Sequence, residues 1–196
     1  MNTYTIKRSE PGRALIDNYP WTAEYPPVIK AYAELTYDDT ALHVKLAAEE
    51  TNLRIETKLP NEMVCQDSCL EFFFNPMPEE GDKYLNFEFN PAGNYWLSIG
   101  DGRSPRTCME LTEFSYDFAV ATTVCDDSWD IRFSIPFEFL QEFFPEFAAE
   151  KGTEMRGNFY KCGDLTDHTH YGSWSPVVAQ EPDFHRPECF GKLVFE

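Results

Sequence analysis

The sequence predicts an all-β protein, an antiparallel two-sheet β-sandwich of jelly-roll-like form with one short helix. Apolar and polar residues alternate over short segments bounded by Asn, Asp, Gly or Pro, and helical crossovers between them are missing. The 196 residues suit one domain, long enough to bury about 70% of its unfolded surface. No internal repeat, linker or low-complexity segment divides the chain, so residues 1–196 are predicted to be a single domain.

Seven segments have the period-2 pattern of strands with alternate side chains on opposite faces. Turn-forming residues at 37–40 (YDDT), 90–94 (NPAGN) and 125–130 (CDDSWD) predict hairpin connections. The predicted strands span residues 41–50, 69–76, 84–93, 118–127, 129–136, 155–162 and 191–196.

Residues 136–152 (PFEFLQEFFPEFAAEKG) break this period. Pro136 and Pro145 restrict the segment to one or two helical turns, and Gly152 ends it. A short helix closing one end of the sandwich is therefore expected.

The charge balance excludes several partner classes. Acidic residues outnumber basic ones 34 to 16, giving a formal charge of -18 that opposes phosphate backbones and anionic lipid. No run of 18 apolar residues is present, and the first residues lack the apolar stretch of a signal peptide. We expect no nucleic-acid or membrane partner, and a cytoplasmic location unless a signal peptide was removed, in which case the protein is extracellular.

Six cysteines, at positions 65, 69, 108, 125, 162 and 189, are predicted to be reduced and mostly buried thiols. Cys65 and Cys69 stand four residues apart, whereas zinc sites usually present C-x2-C pairs and need two further ligands. Cys162, His168, His170 and Cys189 could supply them only by tertiary proximity, so no metal site is predicted.

One predicted strand carries a hydrogen-bonding face. Tyr84, Asn86, Glu88 and Asn90 share one side, and the apolar Leu85, Phe87 and Phe89 share the other. Amides, a carboxylate and a phenol are groups that pair with hydroxyls, although an ordinary solvated face is the alternative.

A second strand repeats this arrangement with Arg156, Asn158 and Tyr160 on one face. Arg156 could bind vicinal oxygens of a ligand through two parallel hydrogen bonds, or form a structural ion pair with Glu71 or Glu88. Both interpretations remain open from the residues alone.

Catalytic arrangements have weaker support. Glu71 and Glu88, on adjacent strands, could serve a glycosidase or lyase, but 34 acidic residues make such a pair common by chance. His168 and His170 are expected to be surface histidines, with haem or metal binding as the alternative. His185 lacks a nucleophile in any recognisable context, so no catalytic residue is predicted.

Six segments follow one another along the chain, namely DSCLEFFFNP, YLNFEFNPAGN, WDIRFSIPFEFL, RGNFYKCGD, GSWSPV and PDFHRPECFGKLVFE. Together they resemble family 9 carbohydrate-binding modules, especially standalone bacterial proteins of that kind. The resemblance runs from about residue 20 to 196. It implies a β-sandwich that binds mono- or oligosaccharides without catalysis, and frequent attachment to glycoside hydrolases in other members.

The resemblance also implies a sugar ring clamped between two tryptophans, and structural calcium in some members. Trp174 matches one clamp tryptophan, and Glu71 matches the glutamate of the D-S-x-x-E segment. The other clamp position is occupied by residues 63–65 (MVC), so Trp96 could take its place. The predicted ligand-binding residues are Trp174, Glu71, Glu88, Asn90, Arg156, Asn158 and Trp96.

This reading makes the Trp174 loop a wall for a ligand and His185 a residue that pins the loop. The acidic turns lack an EF-hand order of ligands and are expected to be solvated, so calcium has weak support. A module that has lost sugar binding and serves protein interaction remains an alternative.

Overall fold

The computed structural model describes residues 1–25 and 28–196. Within them lie thirteen β-strands, one α-helix and three short 3-10 helices. The strands are β1 Thr3–Ile6, β2 Ala14–Ile16, β3 Lys30–Tyr37, β4 Ala41–Glu49, β5 Cys69–Asn75, β6 Tyr84–Phe89, β7 Tyr95–Gly100, β8 Thr107–Cys108, β9 Ala121–Val124, β10 Trp129–Pro136, β11 Glu154–Cys162, β12 Tyr171–Ser173 and β13 Gly191–Phe195, with helix α1 at Phe137–Phe143.

The strands form two sheets. The larger has eight strands, in the order β1-β13-β11-β5-β6-β7-β8 with β12 also paired to β11. The smaller has five, in the order β2-β3-β4-β10-β9. All pairings are antiparallel except that of β1 with β13, which is parallel.

The main core lies between the sheets. Side chains at alternate positions of both sheets meet there, including Phe72, Phe87 and Phe159 from the larger sheet and Leu46 and Phe133 from the smaller. Burial of these aromatic and aliphatic groups supplies most of the driving force for folding, at roughly 1.5–3 kcal/mol for each fully buried large side chain.

The outer face of the larger sheet is also covered. Residues of the loop after β12 pack on β5, β6 and β11, and Phe73, Tyr160 and Phe184 belong to this second apolar cluster. Every residue of β5 and β6 is therefore buried. A strand covered on both faces loses the solvated side that simple alternation predicts.

The predicted sandwich with one short helix is confirmed, and the helix is the seven-residue α1. Six strands had not been predicted from the sequence, namely β1, β2, β3, β7, β8 and β12. The expectation of mostly buried cysteines was wrong, since Cys69 and Cys162 alone are buried while Cys108 and Cys125 are exposed; all six are free thiols. No helix among the described residues is long and apolar enough to span a membrane.

Candidate functional site

A cleft of about 510 Å³ opens on the outer face of the larger sheet. Strands β5, β6 and β7 form its floor, and the segment after β12 forms a wall. Its volume is within the range of small-molecule sites, about 300–1,000 Å³. The lining residues are Met63, Cys65, Glu71, Phe73, Glu88, Trp96, Arg103, Ser104, Arg106, Cys108, Cys162, Asp164, Tyr171, Pro182, Asp183, Phe184 and His185.

The strand register places four side chains in one row across the larger sheet. Tyr160 lies opposite Glu71, Glu71 opposite Glu88, and Glu88 opposite Trp96. Directly opposed residues of antiparallel strands hold their Cβ atoms about 4.5–5.5 Å apart. The row thus sets two carboxyl groups beside an indole along one edge of the cleft.

Arg106 is held by the next row of side chains on the same face of the sheet, which contains Asn86 and Ser98. Its guanidinium donates to Asn86 Oδ1 at 2.8 Å and to Ser98 Oγ at 2.8 Å, and it lies 4.2 Å from the centre of the Tyr84 ring. Asn86 in turn donates to Glu88 Oε1 at 2.6 Å. Arg106 therefore reaches Glu88 through an amide, which holds both groups in position.

Burial controls the protonation of the two carboxyl groups. It raises the pKa of Glu88 to about 7, although the hydrogen bond from Asn86 and the charge of Arg106 act in the other direction. Burial, followed by the neighbouring Glu88, also raises the pKa of Glu71 well above its usual value. Each carboxyl group can thus be a hydrogen-bond donor as well as an acceptor near neutral pH.

The wall of the cleft is the segment Pro182–His185. Phe184 stacks on Tyr160 with ring centres 4.1 Å apart, and His185 Nδ1 lies 2.7 Å from the Tyr84 hydroxyl. Arg103 forms an ion pair with Asp183 at 2.8 Å at the mouth. These contacts fix His185 as a residue that holds the loop.

Three of the predicted ligand-binding residues come together in this cleft: Glu71, Glu88 and Trp96. Trp96 is half-buried, and its Nε1 atom donates to Ser98 Oγ at 3.3 Å. The residues at the unmatched clamp position are also near, because Met63 and Cys65 line the same cleft.

Trp174 does not line the cleft, contrary to the expected ligand wall. It is 6% exposed and packs between the sheets against Phe159 and Tyr4. Its carbonyl accepts hydrogen bonds from Asn2 at 2.6 Å and Asn18 at 2.7 Å. The indole is thus part of the core, and the loop beyond it forms the wall instead.

Asn90 and Asn158 are fully buried and also lie outside the cleft lining. Asn90 Nδ2 donates to Asp67 Oδ2 at 3.0 Å and stabilises the turn between β6 and β7. Asn158 bonds both the carbonyl and the N–H of Ser175, at 2.9 and 2.8 Å. Both side-chain amides therefore form hydrogen bonds with the loop backbone or with a buried carboxylate, and neither lines the cleft.

Arg156 also lies away from the cleft. Its strand position is four residues from that of Tyr160, roughly 13 Å along β11. It forms an ion pair with Glu154 at 3.0 Å. Of its two sequence interpretations, a structural ion pair fits, although the partner is neither Glu71 nor Glu88.

Sequence reasoning missed Arg106, Tyr171, Phe184 and the thiol Cys162 as cleft residues. The position of Cys162 could have been predicted, because it lies on the same face of β11 as Asn158 and Tyr160. Arg106 and Phe184 lie in irregular segments, where no periodicity indicates the direction of a side chain.

The two paired histidines lie at a different place. His168 and His170 line a pocket with Glu50 at the end of β4. His168 is exposed, as expected, but His170 is buried and its Nε2 atom lies 2.8 Å from Lys161 Nζ. The buried Lys161 also forms an ion pair with Glu50 at 3.1 Å.

Calcium requires several oxygen ligands. Among the described residues, the group of three or more His, Cys, Asp or Glu side chains close enough to share an ion is Cys69, Glu71 and Cys162. Two of its three ligand atoms are sulfur, so this group does not fit calcium.

A two-sheet sandwich with a polar and aromatic cleft on one sheet face defines a ligand-binding β-sandwich module. The family model described as "Carbohydrate-binding family 9" matches residues 5–195. The chain belongs to carbohydrate-binding family 9, and its function is non-catalytic carbohydrate binding.

Solved structures share this fold. A candidate carbohydrate-binding protein from Bacteroides uniformis is 25% identical, with a TM-score of 0.83 over 100% of this chain and 99% of that one. A family 9 module from Caldicellulosiruptor kristjanssonii in complex with cellotriose is 13% identical, with a TM-score of 0.66 over 100% and 94%. The same module in complex with glucose is 13% identical, with a TM-score of 0.65 over 100% of this chain and 96% of that one. A search of curated proteins found no match.

Proposed function

We propose that the cleft on the outer face of the larger sheet binds a neutral mono- or oligosaccharide, without transforming it. The observation that carries this proposal is the row of Glu71, Glu88 and Trp96, set side by side by strand register. The glucose and cellotriose complexes of the Caldicellulosiruptor module support the ligand class.

The chemistry of the row suits a sugar. A pyranose offers apolar C–H faces and a rim of hydroxyl groups, so it needs an aromatic surface with polar groups beside it. Trp96 and Phe184 offer aromatic surface, and Glu71 and Glu88 offer hydrogen-bonding groups. Arg106 holds Glu88 in place through Asn86, so the Glu88 side chain loses little conformational entropy when a sugar binds.

The charges of the lining favour a neutral sugar over an acidic one. Four carboxyl groups, of Glu71, Glu88, Asp164 and Asp183, line the cleft beside two guanidinium groups. One guanidinium, of Arg103, is already paired with Asp183. Burial raises the pKa of Glu71 and of Glu88, so near neutral pH these groups offer hydrogen bonds with little charge, which suits the hydroxyl groups of a neutral sugar.

The glycosidase alternative is disfavoured by the protonation of the pair. A hydrolytic pair holds one carboxyl group protonated and the other ionised, so their pKa values are pushed apart. Here burial raises the pKa of both Glu71 and Glu88. With a pKa of about 7, Glu88 is only about half ionised at neutral pH, so the pair lacks the fully ionised partner that hydrolysis requires.

The test is a panel of neutral mono-, di- and oligosaccharides, read by calorimetry and tryptophan fluorescence. Trp96→Ala should weaken saturable binding by at least about tenfold, as expected for loss of an aromatic contact at the centre of a site. Tyr32→Ala is the matched control, because Tyr32 is a half-buried aromatic residue of β3 in the other sheet.

Equal loss in both variants, or no binding across the panel by the wild type, would overturn the proposal. Release of shortened glycans during incubation would instead support the enzyme alternative. Circular dichroism of each variant establishes that the fold survives.

A further inference from the structure

Two thiols and a carboxyl group converge at one end of the cleft floor. Cys69 and Cys162 lie directly opposite each other on β5 and β11, and all three side chains point to the outer face of the sheet. The Cys162 thiol donates to Glu71 Oε1 at 2.9 Å. The Sγ atoms of both cysteines and a Glu71 oxygen all lie within 4.8 Å of one another.

We infer that Cys69, Cys162 and Glu71 form a binding site for a thiophilic divalent cation of the zinc class. Nothing in sugar recognition requires two buried thiols beside a carboxyl group, so this inference rests on a different observation from the proposed function, although the two sites share Glu71. It departs from the sequence prediction of no metal, which had considered Cys65 and Cys69 as the close pair.

The spacing fits a tetrahedral ion. Zinc binds thiolate sulfur at about 2.3 Å and carboxylate oxygen at about 2.0–2.2 Å, so its ligands in tetrahedral geometry lie roughly 3.5–3.8 Å apart. The distances between the ligand atoms of Cys69, Cys162 and Glu71 need to change by no more than about 1 Å to reach that spacing. Two sulfur ligands select zinc-like ions over calcium or magnesium.

The cluster also lacks a positive charge of its own. All three side chains are buried, with Glu71 2% exposed, and no Lys, Arg or His among the described residues forms an ion pair with Glu71. Lys161 neighbours Cys162 in the chain, but it points to the other face of β11 and is bonded to Glu50 and His170. A divalent cation would offset two of the three negative charges of the two thiolates and the carboxylate, which burial otherwise disfavours.

An ion can reach the cluster from the cleft. Glu71 and Cys162 line the open cleft, and Cys69 is buried beside them. Cys65 and Asp164 stand at the same end of the cleft, and the Cys65 carbonyl accepts from the Cys162 thiol at 3.8 Å. Three protein ligands with a fourth position facing a cleft are typical of an open zinc site rather than a closed structural one.

The experiment uses Co²⁺ as a spectroscopic probe for the full-length, reduced protein after treatment with a chelator. We expect one equivalent of Co²⁺ to produce a thiolate-to-metal charge-transfer band in the near ultraviolet and tetrahedral bands in the visible, both removed by Zn²⁺. Cys162→Ser should abolish the charge-transfer band or weaken Co²⁺ binding by more than about tenfold.

Cys125→Ser is the matched control, because Cys125 is an exposed thiol in the turn between β9 and β10. It should bind Co²⁺ as the wild type does. Glu71→Gln keeps the shape of the side chain and covers the case in which Cys162→Ser fails to fold; it should retain sulfur bands but bind Co²⁺ more than about tenfold more weakly.

The inference is overturned if the wild type gives no charge-transfer band at one equivalent. It is also overturned if Cys162→Ser and Glu71→Gln bind like the wild type, or if the band is lost in Cys125→Ser. Sugar binding is measured separately on the metal-free protein, so failure of one proposal leaves the other intact.

Discussion

Glu88 and Glu71 face each other directly across β6 and β5, and no basic side chain of the described residues lies within ion-pair distance of either. The nearest compensation for Glu88 is the hydrogen bond from Asn86, itself held by Arg106. The relationship makes the stability of the protein depend on pH in a defined direction.

Glu88→Gln should stabilise the metal-free protein at and above neutral pH. The folded-state pKa of Glu88 is raised from 4.5 to about 7, so the folded chain binds more protons than the unfolded chain between these values. The contribution of protonated Glu88 is fully present below pH 4.5 and is lost as the pH rises through about 7. The variant should gain up to about 3 kcal/mol at pH 8 and little at pH 4.5.

Urea unfolding of both proteins at a series of pH values measures this gain. Glu146→Gln is the control, because Glu146 is exposed. A constant difference between Glu88→Gln and the wild type across the series would contradict the prediction.

His185 should act in the opposite direction over a similar range. Burial, with the charges of Arg106 and Arg103, lowers its pKa from 6.5 to about 4. The unfolded chain therefore binds more protons, and stability falls as the pH drops from about 6.5 to about 4. His185→Gln should lose this part of the acid sensitivity, whereas His168→Gln, at an exposed site, should keep it.

Thermal unfolding between pH 4 and 7 tests the His185 prediction. The informative quantity is the difference between each variant and the wild type, since the Glu88 and His185 contributions partly cancel in the wild-type curve. Parallel curves for His185→Gln and the wild type would rule the effect out.

The buried Lys161 predicts a large cost for removing one ionic partner. Glu50 also accepts hydrogen bonds from Ser68 at 3.0 Å and Trp129 at 2.9 Å, so Lys161→Met leaves a fixed, buried carboxylate without its cation. We expect a loss of about 3–5 kcal/mol, and partial recovery when Glu50→Gln is added.

The control for Lys161 is Lys30→Met, which breaks the exposed pair with Glu49 at 2.9 Å. Exposed pairs contribute about 0–1 kcal/mol, so this variant should unfold at nearly the wild-type urea concentration. Equal losses for the two lysine variants would contradict a special role of burial.

Trp174 should be a stability residue rather than a binding residue. Trp174→Ala removes a large core side chain and should cost about 3–5 kcal/mol. Gly191 lies against the indole, and a Cβ atom at that position would collide with the ring. Gly191→Ala should therefore destabilise the wild type strongly and the Trp174→Ala background much less.

A double-mutant cycle measured by chemical denaturation separates these two effects. Simple additivity of the Trp174→Ala and Gly191→Ala losses would mean that the ring and the glycine do not restrict each other. The Asn2 carbonyl oxygen lies 2.9 Å from the same Cβ position, so Gly191→Ala should still lose some stability in the Trp174→Ala background.

Much of the frame was predictable because period-2 alternation survives in the long central strands. The two faces of β6 are arranged as predicted, with Leu85, Phe87 and Phe89 in the core. Very short strands such as β2 and β8 contain too few residues for a period to show, and their pairing partners determine them.

The site was less predictable because side-chain direction in loops depends on tertiary contacts. Trp174 enters the core since Gly191 leaves room and two asparagines fix its carbonyl. Glu71 and Glu88 were placed on neighbouring strands, as the structure has them, but their coverage by the segment containing Phe184 left no trace in local patterning.

The parallel pairing of β1 with β13 ties order of synthesis to order of folding. Thr3 lies beside Lys192, and Ile6 beside Phe195, so the contact joins positions from nearly opposite ends of the sequence. Closing so long a loop carries the entropy cost of non-local pairing, and this contact cannot form on the ribosome until β13 emerges. β1 can therefore complete its pairing only after β13 has been made.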